Sequence, residues 1–342
     1  MASDFDDVFI REQYSTITSR TLVDVGTTLW SEYQMKIPVI SANMPQITEN
    51  PMAHCMIDNG GLGILHRFCS IEKNVTMFCS IPGIPNCPRY DVGVSIGVKS
   101  DDIARFDALY EHGARVFCID VAMGNHENMK SMIESLRSKH SDLVVIAGNV
   151  STADGAVNLA KWGAQVVKIG VGPGSHCETR KRTGVGTPQF YALREVKTRF
   201  FEQKIDAKII ADGGIRNTSD ITKSMIFADA VMVGAILAGT TETPGRVYPC
   251  PDTDLWNRQY YKVFGGSSSA ENKDRHGNTT RFVEGRMTTV PFKGHAKYIL
   301  REIQEGLQSS YSYSNSCNTK EFQERVIWGD GIHEYRGPNI IK

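Results

Sequence analysis

The feature that most constrains the fold is a regular alternation of short apolar runs with helical patterns. The runs are nearly continuous in apolar residues, so each needs cover on both faces, as in a parallel sheet. Eight such units predict an α/β fold, a closed (β/α)₈ or TIM barrel. The expected strands are Ile37–Met44, Gly61–Arg67, Val92–Val98, Ala114–Ala122, Leu143–Val150, Ala164–Val171, Lys208–Gly214 and Ala228–Ile236.

Amphipathic patterns between these runs predict the helices of the barrel. A doubly wound open sheet is the alternative architecture, but it requires edge strands, and none of the eight runs is short and charged. The expected helices are Pro51–Asn59, Ile71–Cys79, Asp102–His112, Glu127–Lys139, Ala153–Trp162, Pro188–Glu202, Ser219–Phe227 and His295–Gln308.

The remaining segments are interpreted as additions to one barrel domain that spans residues 1–342. Residues 1–36 are polar and irregular and form an N-terminal arm. Residues 265–294 begin with a polar stretch rich in Gly and Ser, which is typical of disordered surface or of an active-site flap. The return to apolar order near its end favours a flap, and residues 328–342 are expected to be a tail.

Charge and cysteine usage exclude several classes of partner. The 38 Lys and Arg residues balance the 38 Asp and Glu residues, so nothing favours binding to nucleic acid or to an acidic membrane. The eight cysteines are scattered without Cys-x-x-Cys spacing, which indicates reduced thiols and a cytoplasmic location. The acidic start of the chain does not resemble a signal peptide, and no run has the length of a membrane span.

One loop, residues 170–180, carries the strongest chemical signal. It follows the sixth expected strand, and an active site in this fold lies at the C-terminal ends of the strands. Its glycines can turn N–H groups toward an anion, its carbonyls can hold a cation, and Cys177 can be a nucleophile. A long loop with a buried thiol is the alternative. Thr179 and a second Gly-x-Gly at 184–186 favour chemistry.

Glycines also follow the seventh and eighth expected strands, where this fold usually binds phosphate. They occur in Asp212-Gly213-Gly214 and at Gly234. Together with the cysteine loop they predict a phosphate cradle. Other polar residues at strand ends, among them Asp120 and Asn149, are expected to face the same site.

Three motifs resemble the IMP dehydrogenase and GMP reductase superfamily. They are GPGSxCxT at residues 172–179, DGG at 212–214, and the EG and PFKG pair at 284–294. The resemblance extends from about Asp6 to about Tyr313 and implies the same (β/α)₈ barrel. It also implies a homotetramer, which the periodicity of the chain does not address.

Within that superfamily the chain resembles the reductase branch more closely. The second and third strands are too close for an inserted pair of CBS modules, the first strand ends in Ala-Asn-Met at 42–44, and Arg281 precedes Glu284 by three residues. Arg67, Ile215-Arg216 and Ala235 depart from the reductase pattern. A dehydrogenase without CBS modules, which would convert IMP to XMP with NAD, and a barrel that binds purine nucleotides without catalysis therefore remain alternatives.

The resemblance implies reduction of GMP to IMP by NADPH, with release of ammonia and a covalent intermediate on Cys177, in purine nucleotide salvage. It assigns the catalytic roles to Cys177, Thr179 and Glu284. It assigns nucleotide binding to Ser175, Asp212, Gly213, Gly214, Gly234, Ala235, Gly266, Ser267, Ser268, Arg281 and Gly285. It assigns the cofactor to Arg67, Asp120, Ala122, Ser309, Ser310 and Tyr313, and a monovalent cation, K⁺, to the carbonyls of Gly172, Gly174 and Cys177.

Overall fold

Eight parallel strands close into a barrel in which neighbours in the chain are neighbours in space. The computed structural model describes residues 4–83, 87–175, 177, 179–250, 259–265, 287–330 and 333–337. β8 pairs in parallel with β1 and closes the ring. The (β/α)₈ prediction is thereby confirmed. The strands are β1 (Val39–Ser41), β2 (Leu62–Leu65), β3 (Arg89–Ile96), β4 (Ala114–Asp120), β5 (Val144–Val150), β6 (Val166–Ile169), β7 (Lys208–Asp212) and β8 (Ala230–Val233).

Eight helices alternate with these strands, close to where the sequence pattern predicts them. Local caps explain several of the boundaries: α5 starts where the Thr152 hydroxyl accepts a hydrogen bond from Gly155 N, and it ends at Gly163, whose φ is 117°. The helices are α1 (Asn50–Asp58), α2 (Ile71–Cys79), α3 (Ser100–Glu111), α4 (Glu127–Lys139), α5 (Ala153–Trp162), α6 (Gln189–Glu202), α7 (Thr218–Ser224) and α8 (Ala296–Tyr313).

The N-terminal segment contains more regular structure than an irregular arm. Two strands, Thr27–Trp30 and Tyr33–Met35, form an antiparallel hairpin just before β1. The indole N–H of Trp30 donates to Tyr90 O at the start of β3, and the Tyr33 hydroxyl donates to Gly61 O just before β2. The hairpin therefore covers the end of the barrel where the strands begin, opposite to the expected active site.

The C-terminal segment also differs from the expected tail. Strand Ile327–Gly329 pairs with Phe9–Arg11 from the N-terminal segment and with Glu334–Arg336. Trp328, only 2% exposed, packs edge-on against Phe190 and Phe227 and stacks on Tyr335. The pattern of the segment alone does not predict this, because the pairing partners come from the other end of the chain.

We expect Trp328→Ala to lower the free energy of unfolding by about 3–5 kcal/mol, the usual cost of deleting a buried aromatic side chain. The loss arises from the cavity left among the aromatic rings and from the lost indole bond to Gly337 O. Chemical denaturation monitored by circular dichroism measures it. Phe201→Ala is the control, since that ring is 66% exposed. Equal stability of the two variants would contradict the integral role of this segment.

A small antiparallel sheet follows β8 at the active-site end. Its strands are Tyr248–Pro249, Tyr260–Gly265 and Met287–Pro291, so the two longer strands flank residues 266–286. The expected flap residues Gly266, Ser267, Ser268, Arg281, Glu284 and Gly285 lie outside the described residues. Among the residues described, no helix is both long and apolar enough to cross a membrane.

Candidate active site

The cysteine loop connects β6 to α6 at the C-terminal end of the barrel. Its half-buried Cys177 thiol donates to the Thr179 hydroxyl, with 3.1 Å between Sγ and Oγ1. Thr179 opens a one-turn helix, Thr179–Thr183, and Cys177 N donates to Gly174 O in a tight turn before it. The loop thus holds a thiol and a hydroxyl side by side, as their spacing in the sequence suggested.

The cysteine loop packs directly on the Asp-Gly-Gly loop after β7. A Cβ on Gly170 would collide with the carbonyl oxygen of Asp212, and one on Gly213 would lie 3.2 Å from Gly174 N. Both glycines have positive φ, 151° at Gly170 and 95° at Gly213, which other residues rarely adopt. The Gln189 amide ties the two strand ends together by donating to Ile169 O at 2.7 Å and to Asp212 O at 3.4 Å.

A buried lysine that the sequence analysis did not single out lies beneath these loops. Lys168 on β6 is only 2% exposed, and its Nζ lies 2.6 Å from Asp120 Oδ1 and 2.8 Å from Asp212 Oδ2. The two carboxylates stand at the ends of β4 and β7. A single charge within the apolar run Val166–Ile169 was the signal available in the sequence, since such a residue is rarely buried unpaired.

Register explains how Lys168 reaches across a strand. Lys168 on β6 pairs with Gly148 on β5, which pairs with Asp120 on β4. Since Gly148 has no side chain, the lysine can extend over it to the aspartate. A Cβ on Gly148 would lie 2.6 Å from Lys168 Cβ, so this position leaves no room for a larger residue.

The charges in this group stabilise one another. Burial alone would raise the pKa of Asp120, but the Lys168 ammonium beside it holds that pKa below its usual value. Burial alone would lower the pKa of Lys168, but the two carboxylates raise it. Cys118, deeper on β4, has a pKa raised to about 12 by burial, so its thiol stays neutral. The Lys168 ammonium and the Asp120 carboxylate therefore favour each other's charged form.

Asp212 retains a free accepting side. Its Oδ2 accepts from Lys168 and, at 2.9 Å, from Asn149 Nδ2, whose amide also donates to Gly170 O. Within the described part of the chain no donor contacts its Oδ1, and 20% of the side chain is exposed. The carboxylate is thus held rigidly on one side and open on the other.

Arg67, Asp120 and Ala122 lie on one side of the barrel mouth. Arg67 follows β2, donates to Asp120 O at 3.3 Å, and stacks on Phe68 with 4.9 Å between guanidinium carbon and ring centre. Its buried Nε has no hydrogen-bond partner within the described residues. Ala122 is exposed just beyond β4. This side of the barrel mouth therefore contains a buried guanidinium N–H, unpaired among the described residues, beside an aspartate.

Gly234 and Ala235 follow β8, beside Ala42 and Met44 at the end of β1. Lys293 crosses from the small sheet and donates to Ala235 O at 3.1 Å and to Ile236 O at 3.0 Å. The glycine loops after β6, β7 and β8 therefore share one end of the barrel. Lys293 fixes the third of them, a role that the sequence did not indicate.

Ser309, Ser310 and Tyr313 are not near this site within one chain. They form the last turn of α8, whose first residue contacts Glu242 at the active-site end. The helix runs back along the barrel until Tyr313 O accepts from Gln13 N, next to the segment before the hairpin. The structure thus separates these three residues from Arg67 and Asp120.

No group of three or more His, Cys, Asp or Glu side chains among the described residues is arranged to hold a metal ion. The expected cation ligands are backbone carbonyls, which are a different kind of site. Gly174 begins the tight turn that ends at Cys177, and Gly172, with φ of 92°, lies two residues before it. Ser175 is exposed beside them.

The fold and this arrangement define a class: a TIM-barrel protein whose site is built from a cysteine loop and glycine loops at the strand ends. The family model described as "IMP dehydrogenase / GMP reductase domain" matches residues 2–329 of this chain. The chain is 35% identical to a GMP reductase of Streptococcus pyogenes, over 96% of this chain and 98% of that protein. The GMP reductase of a second strain of this species is 34% identical over the same shares.

A solved structure gives the same result in three dimensions. The fold of this chain is similar to that of GMP reductase from Trypanosoma brucei in a crystal structure of its complex with guanosine 5'-monophosphate. The TM-score is 0.87 and the sequence identity 25%, over 99% of this chain and 96% of that one. This chain belongs to the IMP dehydrogenase / GMP reductase family.

Proposed function

We propose that this protein is an NADPH-dependent GMP reductase that converts GMP to IMP and ammonia in purine nucleotide salvage in the cytoplasm. The observation that carries the proposal is the Cys177–Thr179 pair, 3.1 Å apart, on a loop packed against Asp212. A protein that only binds nucleotide has no use for such a pair. The reductase branch is supported by the relatives named above.

The nucleotide is bound by the glycine loops and Asp212. N–H groups at Ser175, Gly213, Gly214, Gly234 and Ala235 hold the phosphate, since glycine-rich turns direct N–H groups at anions. The free side of Asp212 accepts from both ribose hydroxyls. Gly266, Ser267, Ser268, Arg281 and Gly285 close over the purine.

The covalent step forms one bond and breaks another. The Cys177 sulfur, as thiolate, adds to C2 of the purine, and the exocyclic amine leaves with its electron pair as it takes up a proton. A thioimidate remains on Cys177. Reduction at C2 and departure of the sulfur then release IMP and restore the thiol. Division into two steps lowers the barrier of a difficult substitution.

Thr179 and Glu284 deliver the proton that the leaving amine needs. Thr179 lies beside the sulfur and therefore near the carbon that the sulfur attacks. A hydroxyl can pass on a proton from a carboxylic acid, and Glu284 is the proposed source. Amide ion is too basic to leave without that proton.

Arg67, Asp120 and Ala122 are proposed to hold NADPH. The orphaned Nε of Arg67 beside Asp120 fits a polar group there. When bound, NADPH supplies the hydride for C2. Ser309, Ser310 and Tyr313 can reach the cofactor only from another subunit, because α8 carries them to the opposite end of their own barrel. This separation supports the proposed homotetramer.

A monovalent cation, K⁺, is proposed on the carbonyls of Gly172, Gly174 and Cys177. Carbonyl oxygens are the ligands that hard cations take. Gly174 and Cys177 close a tight turn through the bond from Cys177 N to Gly174 O, and Gly172 lies two residues before that turn. The ion would hold the loop in the shape that presents Cys177.

The decisive experiment mixes the protein with GMP and NADPH and follows NADPH loss and ammonia release. We expect both in equal amounts, with IMP as product. The rival dehydrogenase would instead form NADH from IMP and NAD and release no ammonia from GMP. A binding protein without catalysis would bind GMP but would convert neither GMP with NADPH nor IMP with NAD.

Asp212→Asn should raise the KM for GMP by about 10- to 100-fold, because an amide oxygen accepts hydrogen bonds more weakly than a carboxylate. Steady-state kinetics measure this. The loss should be smaller for 2′-deoxy-GMP, which has one hydroxyl fewer to contact Asp212. Asp154→Asn is the control, since that carboxylate is 80% exposed and, among the described residues, forms an ion pair with Arg199 alone. Equal losses for both nucleotides would contradict the ribose contact.

A further inference from the structure

We propose that Lys168 is a positioning residue that acts as the shared counter-ion of Asp212 and Asp120, so that the nucleotide-binding carboxylate and the cofactor-side carboxylate stay charged and aligned together. Lys168 itself touches neither ligand in this proposal. The inference rests on the proposed function only in taking Asp212 as the acceptor of the ribose hydroxyls.

The geometry supports a single shared cation. The same Nζ contacts both carboxylates, at 2.6 and 2.8 Å, so their oxygens lie within a few ångströms of each other. The Lys168 side chain is 2% exposed, so solvent screens its contacts with the two carboxylates only weakly. Gly148 leaves the space through which the lysine reaches β4.

Other groups cannot take over this role. Among the residues that the structure describes, the titratable and charged groups that face Nζ are Asp120 and Cys118 on β4 and Asp212 on β7, with Arg67 acting on Asp120 from the end of β2. Cys118 is a neutral thiol. Arg67 contacts the backbone oxygen of Asp120, and Asn149 brings Asp212 a neutral amide. Removal of Lys168 therefore leaves two carboxylates close together with no shared cation.

Two carboxylates this close repel each other when no cation lies between them, so the pKa of one of them rises and it takes up a proton at a higher pH than in the wild type. A protonated Asp212 has lost accepting capacity for the ribose hydroxyls. Lys168→Met should therefore weaken GMP binding most at low pH and least at high pH. Below the raised carboxyl pKa, the affinity of Lys168→Met for GMP should fall about tenfold for each pH unit.

The experiment measures the dissociation constant of GMP, and of IMP in parallel, by calorimetry across a pH series. In Lys168→Met, the pH below which GMP binding weakens should rise by about one pH unit or more. Lys168→Arg should stay near the wild-type profile. In Lys168→Met/Asp120→Asn, that pH should return toward the wild-type value, because only one carboxylate remains and nothing repels its charge. A loss that is equal at every pH, or no loss, would overturn the proposal.

A second measurement needs no nucleotide. In Lys168→Met one folded-state carboxyl pKa is raised, so the stability difference from wild type should grow as the pH rises from about 4 through that pKa. Thermal unfolding across the same pH series measures it, and a pH-independent difference would contradict the proposal. If Lys168→Met does not fold, the double variant should fold. Failure of both would show a packing role instead.

These outcomes separate the inference from the function. Wild-type protein that binds neither GMP nor IMP would contradict the proposed function, while the unfolding series would still test the shared counter-ion. If the wild-type protein reduces GMP and the pH profile of GMP binding is the same in Lys168→Met, the counter-ion role of Lys168 would be contradicted and the proposed function would not.

Discussion

Cys177→Ala and Cys177→Ser should lose reduction of GMP by at least about 10⁴-fold, while GMP still binds with nearly the wild-type affinity. The loss is expected to be of this size because removing a nucleophile abolishes the covalent route, and only binding and polar contacts remain to assist the reaction. Binding should survive because the proposed nucleotide contacts come from the glycine loops and Asp212. NADPH oxidation and ammonia release measure the first effect, and calorimetry measures the second.

The control for this prediction is Cys317→Ser, since that thiol is exposed and is remote from the cysteine loop in the sequence. It should keep full activity. Wild-type protein quenched during turnover should carry nucleotide mass on the peptide that contains Cys177. Nucleotide on another side chain, or clear turnover by Cys177→Ala, would remove the sulfur from its proposed role.

Thr179→Val should lower kcat by about 10²- to 10⁴-fold, the usual effect of losing a proton donor to a leaving group. Valine keeps the shape of threonine and removes the hydroxyl. The KM for GMP should change little, because Thr179 is not proposed to contact the phosphate or the ribose. Thr183→Val is the matched control: it lies in the same short helix and is exposed, and its hydroxyl donates to the Thr179 carbonyl and accepts from Val185 N.

An independent measurement separates proton delivery from activation of the thiol. The Cys177 thiol lies next to Thr179, so the hydroxyl has a second possible role in tuning the sulfur. The rate of Cys177 alkylation by iodoacetamide should be nearly equal in wild type and Thr179→Val. If alkylation slowed as much as turnover, Thr179 would act on the thiol and not on the leaving amine.

Local signals predicted most of the barrel. The bounds of α5, Ala153–Trp162, agree at both ends with the sequence pattern, because a Thr cap and a left-handed glycine close it locally. The strand β2, Leu62–Leu65, lies within the expected run Gly61–Arg67. Such features depend on residues a few positions apart, which are close in any conformation of the chain.

Segments whose partners are distant in sequence were not predicted. The strand Ile327–Gly329 exists because Phe9–Arg11 lies beside it, and no local periodicity marks either as a strand. Lys293 was expected only as part of a motif, whereas in the structure it holds the loop after β8. The separation of Tyr313 from Asp120 also required the path of α8 around the barrel.

The amino-acid sequence by itself determined the (β/α)₈ repeat, the glycine loops and the adjacency of Cys177 and Thr179. Each of these follows from periodicity or short spacing, which local sterics translate directly into structure. Only the tertiary structure decided that Lys168 lies between Asp120 and Asp212, residues 48 and 44 positions away. A buried ammonium is stable only beside carboxylates, and closure of the barrel is what brings them to it.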